Sequence, residues 1–175
     1  THNHILPGID DGVEDLERAI ETARIAVRDG IEGIICTPHW ISRIFENTRE
    51  VVLQAVECLD LHLKEQQIPL VLYPGAELRV NFEMPQRIAE GELLTLNGSS
   101  YALIELPPEI IPPRVEDFFY NLQVTGITPI IAHPERNPAL VKDPKRLYGW
   151  IESGVLTQLT AGSIRGKFGR SIRKF

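Results

Sequence analysis

Residues 127–133 read Ile-Thr-Pro-Ile-Ile-Ala-His. A short, continuous, β-branched apolar run reads as a buried strand, and here a histidine stands at its carboxyl end. The pattern recurs along the chain. Tyr101–Glu105 ends in Glu105, Ile31–Cys36 leads through Thr37-Pro38 to His39, and Leu70–Leu72 leads through Tyr73-Pro74-Gly75-Ala76 to Glu77. Val155–Leu159 is a fifth run and the opening His2–Leu6 a shorter sixth. Between the runs lie helical patterns. Leu16, Ile20, Ala23 and Val27 share a helical face, with Glu14 and Asp15 in the first turn. Asn47 and Glu50 resemble a capping box ahead of Val52, Ala55, Val56, Leu59 and Leu63. Val115, Phe118, Phe119 and Leu122 make a third stripe, and Asp143-Pro144 to Gly154 frames a fourth helix. Strands spaced by helices predict an α/β fold of right-handed βαβ units around a parallel sheet, in a single domain over 1–175.

Composition narrows the function classes. The 175 residues carry 24 acidic and 18 basic side chains, a net charge of −6. A protein that tracks phosphate backbones over its whole surface needs the opposite sign, so no nucleic-acid partner is expected. Cys36 and Cys58 are the only cysteines, which excludes a disulfide framework and a thiolate zinc site, and both read as inert packing residues. No apolar run is long enough to span a bilayer, and the opening Thr1-His2-Asn3-His4 does not resemble a signal peptide. The expectation is a cytoplasmic protein with no membrane insertion; self-association is left open.

The chemistry lies in what ends the strands. His2 and His4 alternate on an extended segment and therefore face one side of it. From His4 the steps to His39, Glu77, Glu105 and His133 are 35, 38, 28 and 28 residues. One βα unit takes roughly 30 residues or more, so a ligand-type residue recurs once per unit. In a closed parallel barrel, the carboxyl ends of the strands converge on one face, where active sites lie. Imidazole with carboxylate suits Zn, Mn or Fe, and paired ions can clamp the oxygens of an in-line displacement. Asp10 or Asp11 could close over such a site, and Arg136 is placed to hold phosphate oxygens in a bidentate pair. His62, mid-helix, reads as structural, and Glu135 as a solvated loop charge. Trp40 reads equally as a wall of the site or as packing.

These residues carry a resemblance. His2–Gly12 (HNHILPGIDDG), Thr37-Pro38-His39, Gly75-Ala76-Glu77, Leu96-Asn97-Gly98, His133–Asn137 (HPERN) and Leu159–Ser163 (LTAGS) resemble, in order, the motifs of manganese-dependent bacterial tyrosine phosphatases. That family belongs to capsule and exopolysaccharide operons and to the polymerase-and-histidinol-phosphatase (PHP) superfamily. The resemblance implies a distorted (β/α)7 TIM-like barrel with up to three metal ions, Mn²⁺ foremost and Fe or Zn as alternatives. It implies His2, His4 and Glu77 on one ion, Glu77, Glu105 and His133 on a second, and Asp11, favoured over Asp10, with His39 on a third. It places Arg136 near the substrate phosphate. The implied substrate is the phosphotyrosine tail of a bacterial tyrosine autokinase.

The chain also departs from that pattern. A late Asp-x-His of the family, both residues metal ligands, is absent, and six strands are read where seven are needed. Residues 164–175 hold five basic residues and no acidic one, with Phe168, Ile172 and Phe175 at helical spacing. The expectation is therefore that the sequence lacks a carboxyl-terminal strand and helix. A cysteine-dependent phosphatase is excluded, because neither cysteine begins a Cys-x₅-Arg. Two alternatives remain from the sequence: a small-molecule phosphoesterase of the histidinol-phosphatase kind, and a catalytically weakened binding protein.

Overall fold

The computed structural model describes residues 2–174. Its elements run α1 (Leu16–Arg28), β1 (Gly33–Cys36), β2 (His39–Ile41), β3 (Phe45–Glu46), α2 (Arg49–Glu65), β4 (Val71–Pro74), β5 (Glu77–Arg79), α3 (Met84–Ala89), β6 (Tyr101–Glu105), α4 (Val115–Val124), β7 (Thr128–Ala132), α5 (Pro138–Lys142), α6 (Pro144–Glu152), β8 (Leu156–Gln158), α7 (Ala161–Ile164) and α8 (Arg170–Lys174). The chain divides into two compact units. One comprises residues 1–78 and 86–99, the other residues 79–85 and 100–175. The fold is α/β, with both parallel and antiparallel pairing.

In the first unit, β1 pairs parallel with β4, while β2 pairs parallel with β5 and antiparallel with β3. The register sets His39 opposite Glu77. Ile5, Leu6, Trp40, Leu59, Leu63 and Leu78 form its fully buried core. The Arg87 guanidinium stacks 4.8 Å from the Trp40 ring centroid, so Trp40 serves packing. Gly75 separates β4 from β5 because a Cβ there would meet Ile35 Cγ2 at 2.9 Å and the Cys36 carbonyl at 3.2 Å.

In the second unit, β6, β7 and β8 form a parallel ladder. Val115, Phe118, Phe119 and Leu122 of α4 are buried, as their spacing predicts. Phe119 and Trp150 of α6 meet edge-on with ring centroids 5.2 Å apart. Pro144 opens α6, and Gly154 follows its end at φ +90°.

Several sequence expectations are corrected. His2–Leu6 is not a ladder strand. It lies extended beside the end of β1, held by Thr37 N donating to the Asn3 carbonyl and Asn3 N donating to Thr37 Oγ1. His39 and Glu77 do not end β1 and β4. They begin the three-residue strands β2 and β5, because Thr37-Pro38 and Gly75-Ala76 break the chain first. The antiparallel β3 breaks the expected all-parallel pattern. Asp15 is the N-cap of α1, accepting from Arg18 N, and that helix buries Ala19, Ala23 and Ala26 most deeply. Asn47 caps nothing: its Nδ2 donates to the carbonyls of Ile9 and His39. Cys58 is exposed. Phe168 and Ile172 are not one stripe, since Gly166 (φ +82°) and Gly169 (φ +95°) break the segment between α7 and α8; Phe175 lies outside the described residues. Among the described residues no helix is long and apolar enough to cross a membrane.

Candidate metal centre

Glu77 is fully buried, and one of its oxygens is the focus of three imidazoles. Oε2 lies 3.1 Å from His2 Nε2, 3.2 Å from His4 Nε2 and 3.2 Å from His39 Nδ1. His2 Nε2 and His4 Nε2 are themselves 3.1 Å apart. The two Nε2 atoms and Oε2 thus form a nearly equilateral triangle. Neighbouring ligands about 2.1 Å from one ion at right angles are separated by about 3 Å, so the triangle has the dimensions of one face of an octahedral site. Three lone-pair-bearing atoms brought this close, on residues buried or half-buried, fit a divalent cation.

The loop after His4 fixes that ring. His4 Nδ1 donates to Asp10 Oδ2 over 2.6 Å, which leaves Nε2 to face Glu77. The same Asp10 oxygen accepts from His39 N at 2.9 Å, and Oδ1 accepts from Gly12 N at 2.9 Å. Burial penalises the Asp10 carboxylate, but its hydrogen bonds from His4, His39 and Gly12 outweigh this and hold its pKa below the usual range. Burial likewise opposes a charged His4, yet the hydrogen bonds to Asp10 and Glu77 push its pKa up to about 10. A carboxylate that orients a metal-ligating histidine is the usual outer partner of such a site. Gly12 must stay a glycine: a Cβ would lie 2.4 Å from His4 Cβ and 2.5 Å from the His4 carbonyl oxygen.

The sequence left Asp10 and Asp11 unresolved as ligands, and the two have different surroundings. Asp10 is consumed by positioning contacts. Asp11 is exposed, and its Oδ1 lies 3.5 Å from His39 Nε2. Ligand atoms of His4, Asp11 and His39 all lie within 4.8 Å of one another, a second group able to hold an ion. Asn47 closes this region by tying the Ile9 carbonyl to that of His39.

The second unit presents Glu105 at the last position of β6 and His133 just beyond β7, as their strand-end placement predicts. Glu105 Oε2 accepts from Arg79 Nε at 2.6 Å, and Oε1 stands 4.0 Å from His133 Nε2. His133 adopts a left-handed backbone (φ 34°), a strained conformation held by His133 N donating to the Gln158 carbonyl and Arg136 N donating to the His133 carbonyl. A small cleft of about 110 Å³ is lined by Glu105, His133, Pro134, Arg136 and Asn137. Arg136 is exposed there, its guanidinium 5.0 Å from the Phe168 ring centroid.

Glu135 is not a solvated loop charge. It is 2% exposed, and Oε1 accepts from both Thr160 N and Thr160 Oγ1 at 3.1 Å. Sequence reading also missed Arg79, Asn47 and the positioning role of Asp10. Only the close spacing of Asp10 to His4 offered a signal. Cys36 is buried, and desolvation pushes its thiol up to about 12, which removes it as a nucleophile. His62 makes a local bond to the Cys58 carbonyl and takes no part in the cluster.

Fold and site together define an α/β protein with a histidine–carboxylate cluster built from strand ends and the loops beside them. The family described as capsular polysaccharide synthesis, CpsB/CapC, matches residues 1–175, and the chain belongs to it. Tyrosine-protein phosphatase YwqE of Bacillus subtilis (strain 168) is 43% identical over 174 residues, spanning 99% of this chain and 68% of that protein. Tyrosine-protein phosphatase CpsB of Streptococcus pneumoniae is 31% identical over 160 residues, 91% of this chain and 66% of that protein. Among solved structures, those of YwqE and CpsB, described as unique metal-dependent tyrosine phosphatases, include a chain that superposes with a TM-score of 0.96 at 43% identity. The match covers 99% of this chain and 70% of that one.

Proposed function

We propose that this protein is a metal-dependent protein-tyrosine phosphatase. The observation that carries the reading is the triangle of His2 Nε2, His4 Nε2 and Glu77 Oε2 with edges of 3.1, 3.1 and 3.2 Å, backed by Asp10. His2, His4 and Glu77 would hold one ion, Glu77, Glu105 and His133 a second, and Asp11 with His39 a third. Mn²⁺ is the expected metal, with Fe or Zn accepted by the same donors and up to three ions in all. When bound, such ions supply Lewis acidity toward phosphoryl oxygens and acidify water.

The chain's own groups do the rest. Arg136, exposed at the cleft, binds phosphoryl oxygens and stabilises their transition-state charge. Arg79 holds Glu105 in place, and Asp10 holds His4 in the orientation that turns Nε2 inward. The leaving phenolate has a reference pKa of about 10, so it needs less protonation than a serine alkoxide would. Membership in the CpsB/CapC family supports a substrate in capsule or exopolysaccharide synthesis, the phosphotyrosine tail of a bacterial tyrosine kinase, met in the cytoplasm. The distorted (β/α)7 barrel belongs to the same reading, supported by the parallel pairings β1–β4 and β6–β7–β8.

The test is metal analysis of protein purified without chelator, followed by assays on p-nitrophenyl phosphate and a phosphotyrosine peptide. EDTA should abolish turnover and Mn²⁺ restore it. Glu77→Gln and His133→Ala should each lower kcat/KM at least about 100-fold with the fold retained. Full activity after exhaustive chelation, or wild-type turnover in either variant, overturns the reading.

A further inference from the structure

The chain is acidic overall, yet Arg165, Lys167, Arg170, Arg173 and Lys174 crowd its last stretch, residues 164–175, with no acidic residue among them. Arg165, Lys167, Arg170 and Arg173 are exposed, and none forms an ion pair among the described residues. Among the described residues, a basic cluster of this density in an otherwise acidic chain creates a local positive field.

The cluster is also held in place. Ser163 is buried and shares a hydrogen bond with Thr160 at 2.8 Å. Phe168 lies where a Cβ on Gly162 would meet its ring at 3.2 Å. Its ring carries the Arg136 guanidinium on it at 5.0 Å and Lys167 Nζ at 5.9 Å. Helix α8 contacts the turn that contains Arg136. Lys167, which shares the Phe168 ring with Arg136, and helix α8, which bears Arg170 and Arg173, therefore lie beside the turn whose Arg136 lines the Glu105–His133 cleft. That cleft, about 110 Å³, is well below the roughly 300 Å³ of the smallest usual ligand pockets. A cleft of that size suits a phosphoryl group, and peptide residues flanking the phosphate would meet the surface around it.

We infer that residues 165–173 are a docking surface for anionic groups flanking the target phosphotyrosine in a peptide. The inference rests on the phosphotyrosine hydrolysis proposed above. Acidic side chains and a second phosphate offer the same chemistry. An anionic membrane is the weaker occupant: it calls for a continuous amphipathic helix, which Gly166 and Gly169 interrupt, and Phe168 already lies against Arg136.

The experiment measures kcat/KM of the Mn²⁺-loaded protein on three phosphotyrosine peptides, flanked by glutamines, by glutamates, or by a second phosphotyrosine. Turnover of p-nitrophenyl phosphate by the wild type tests the phosphatase reading separately. Several weak exposed charge contacts together should favour either anionic peptide about tenfold over the glutamine peptide, through KM. The preference should fall toward unity at 0.5 M salt. The variant Lys167→Gln/Arg170→Gln/Arg173→Gln should lose the preference, while Arg170→Lys/Arg173→Lys keeps it. Glutamate and second-phosphate arms that differ identify which anion is read. Equal kcat/KM on all three peptides in an active wild type overturns the inference. So does a triple variant that keeps the preference while losing binding to phosphatidylserine vesicles.

Discussion

Asp10 Oδ2 stands 2.6 Å from His4 Nδ1, and through that contact a carboxylate sets the orientation of the central imidazole. The same oxygen holds the backbone of His39, so one carboxylate ties two candidate ligands to one loop. Removing its charge should weaken the site without removing a ligand. Asp10→Asn is expected to lower Mn²⁺ affinity about 10- to 100-fold, the usual cost of an outer partner, and to lower the stability of the metal-free protein as well, because it breaks the buried ion pair with His4. Calorimetric titration of chelator-treated protein checks this. Unchanged affinity would show that Asp10 serves the loop alone.

Much of the frame was legible from residue order, because β1, β4, β6 and β7 fall in apolar runs, β8 lies between Val155 and Leu159, and the long helices have clear stripes. The short strands were not. β2 and β5 are three residues each, and their pairing depends on where Thr37-Pro38 and Gly75-Ala76 turn the chain, which no local period reports. The ligand candidates were visible as residue types at unit spacing. Their supporting contacts were not, since Arg79 reaches Glu105 across 26 positions and Glu135 reaches Thr160 across 25. Burial of Glu135 is a tertiary fact, and its sequence neighbours, proline and arginine, suggest only a loop.

In metal-free protein, His4 is held in its charged form by Asp10 and Glu77 against the opposing effect of burial, and its pKa rises from the ordinary 6.5 to about 10. A group raised on folding contributes stability that is fully present below the unfolded value and is lost as pH rises through the folded one. Metal-free protein should therefore lose stability between pH 6.5 and about 10, and His4→Gln should flatten that part of the profile. Chemical denaturation of EDTA-treated protein across this range, wild type against variant, measures the difference. Mn²⁺ competes with the same proton, so its affinity should climb over the same interval. Parallel profiles for the two proteins would contradict the assignment.

Gly12→Ala would place a methyl 2.4 Å from His4 Cβ and 2.5 Å from the His4 carbonyl, on backbone that cannot yield as a flexible side-chain tip can. The overpacking is expected to cost ~1–3 kcal/mol and to displace His4 from Asp10. Both thermal stability and Mn²⁺ affinity should fall. Gly30→Ala is the wrong control, because its φ of +83° adds backbone strain, whereas Gly149→Ala has open space and helical backbone and should be neutral or stabilising. A Gly12→Ala protein with wild-type metal affinity would mean that the loop adjusts freely.

Glu135 is a buried carboxylate with an uneven set of partners. Oε1 accepts two hydrogen bonds from Thr160, while Oε2 has no hydrogen-bond partner among the described residues. The accepted bonds tie the turn carrying His133 and Arg136 to the start of α7. Glu135→Ala leaves Thr160 N without its acceptor and opens a cavity, at a cost of about 1–3 kcal/mol. Glu135→Gln keeps an oxygen where Thr160 needs it and removes a buried charge, so its loss should be less than half as large. If the carboxylate serves only as this strap, the glutamine variant also keeps phosphatase activity and the alanine variant loses part of it through misplacement of Arg136. Urea unfolding together with kcat/KM on p-nitrophenyl phosphate separates the cases. Equal damage from both substitutions would show that the charge itself is required, and that the unpartnered oxygen meets a group outside the described contacts.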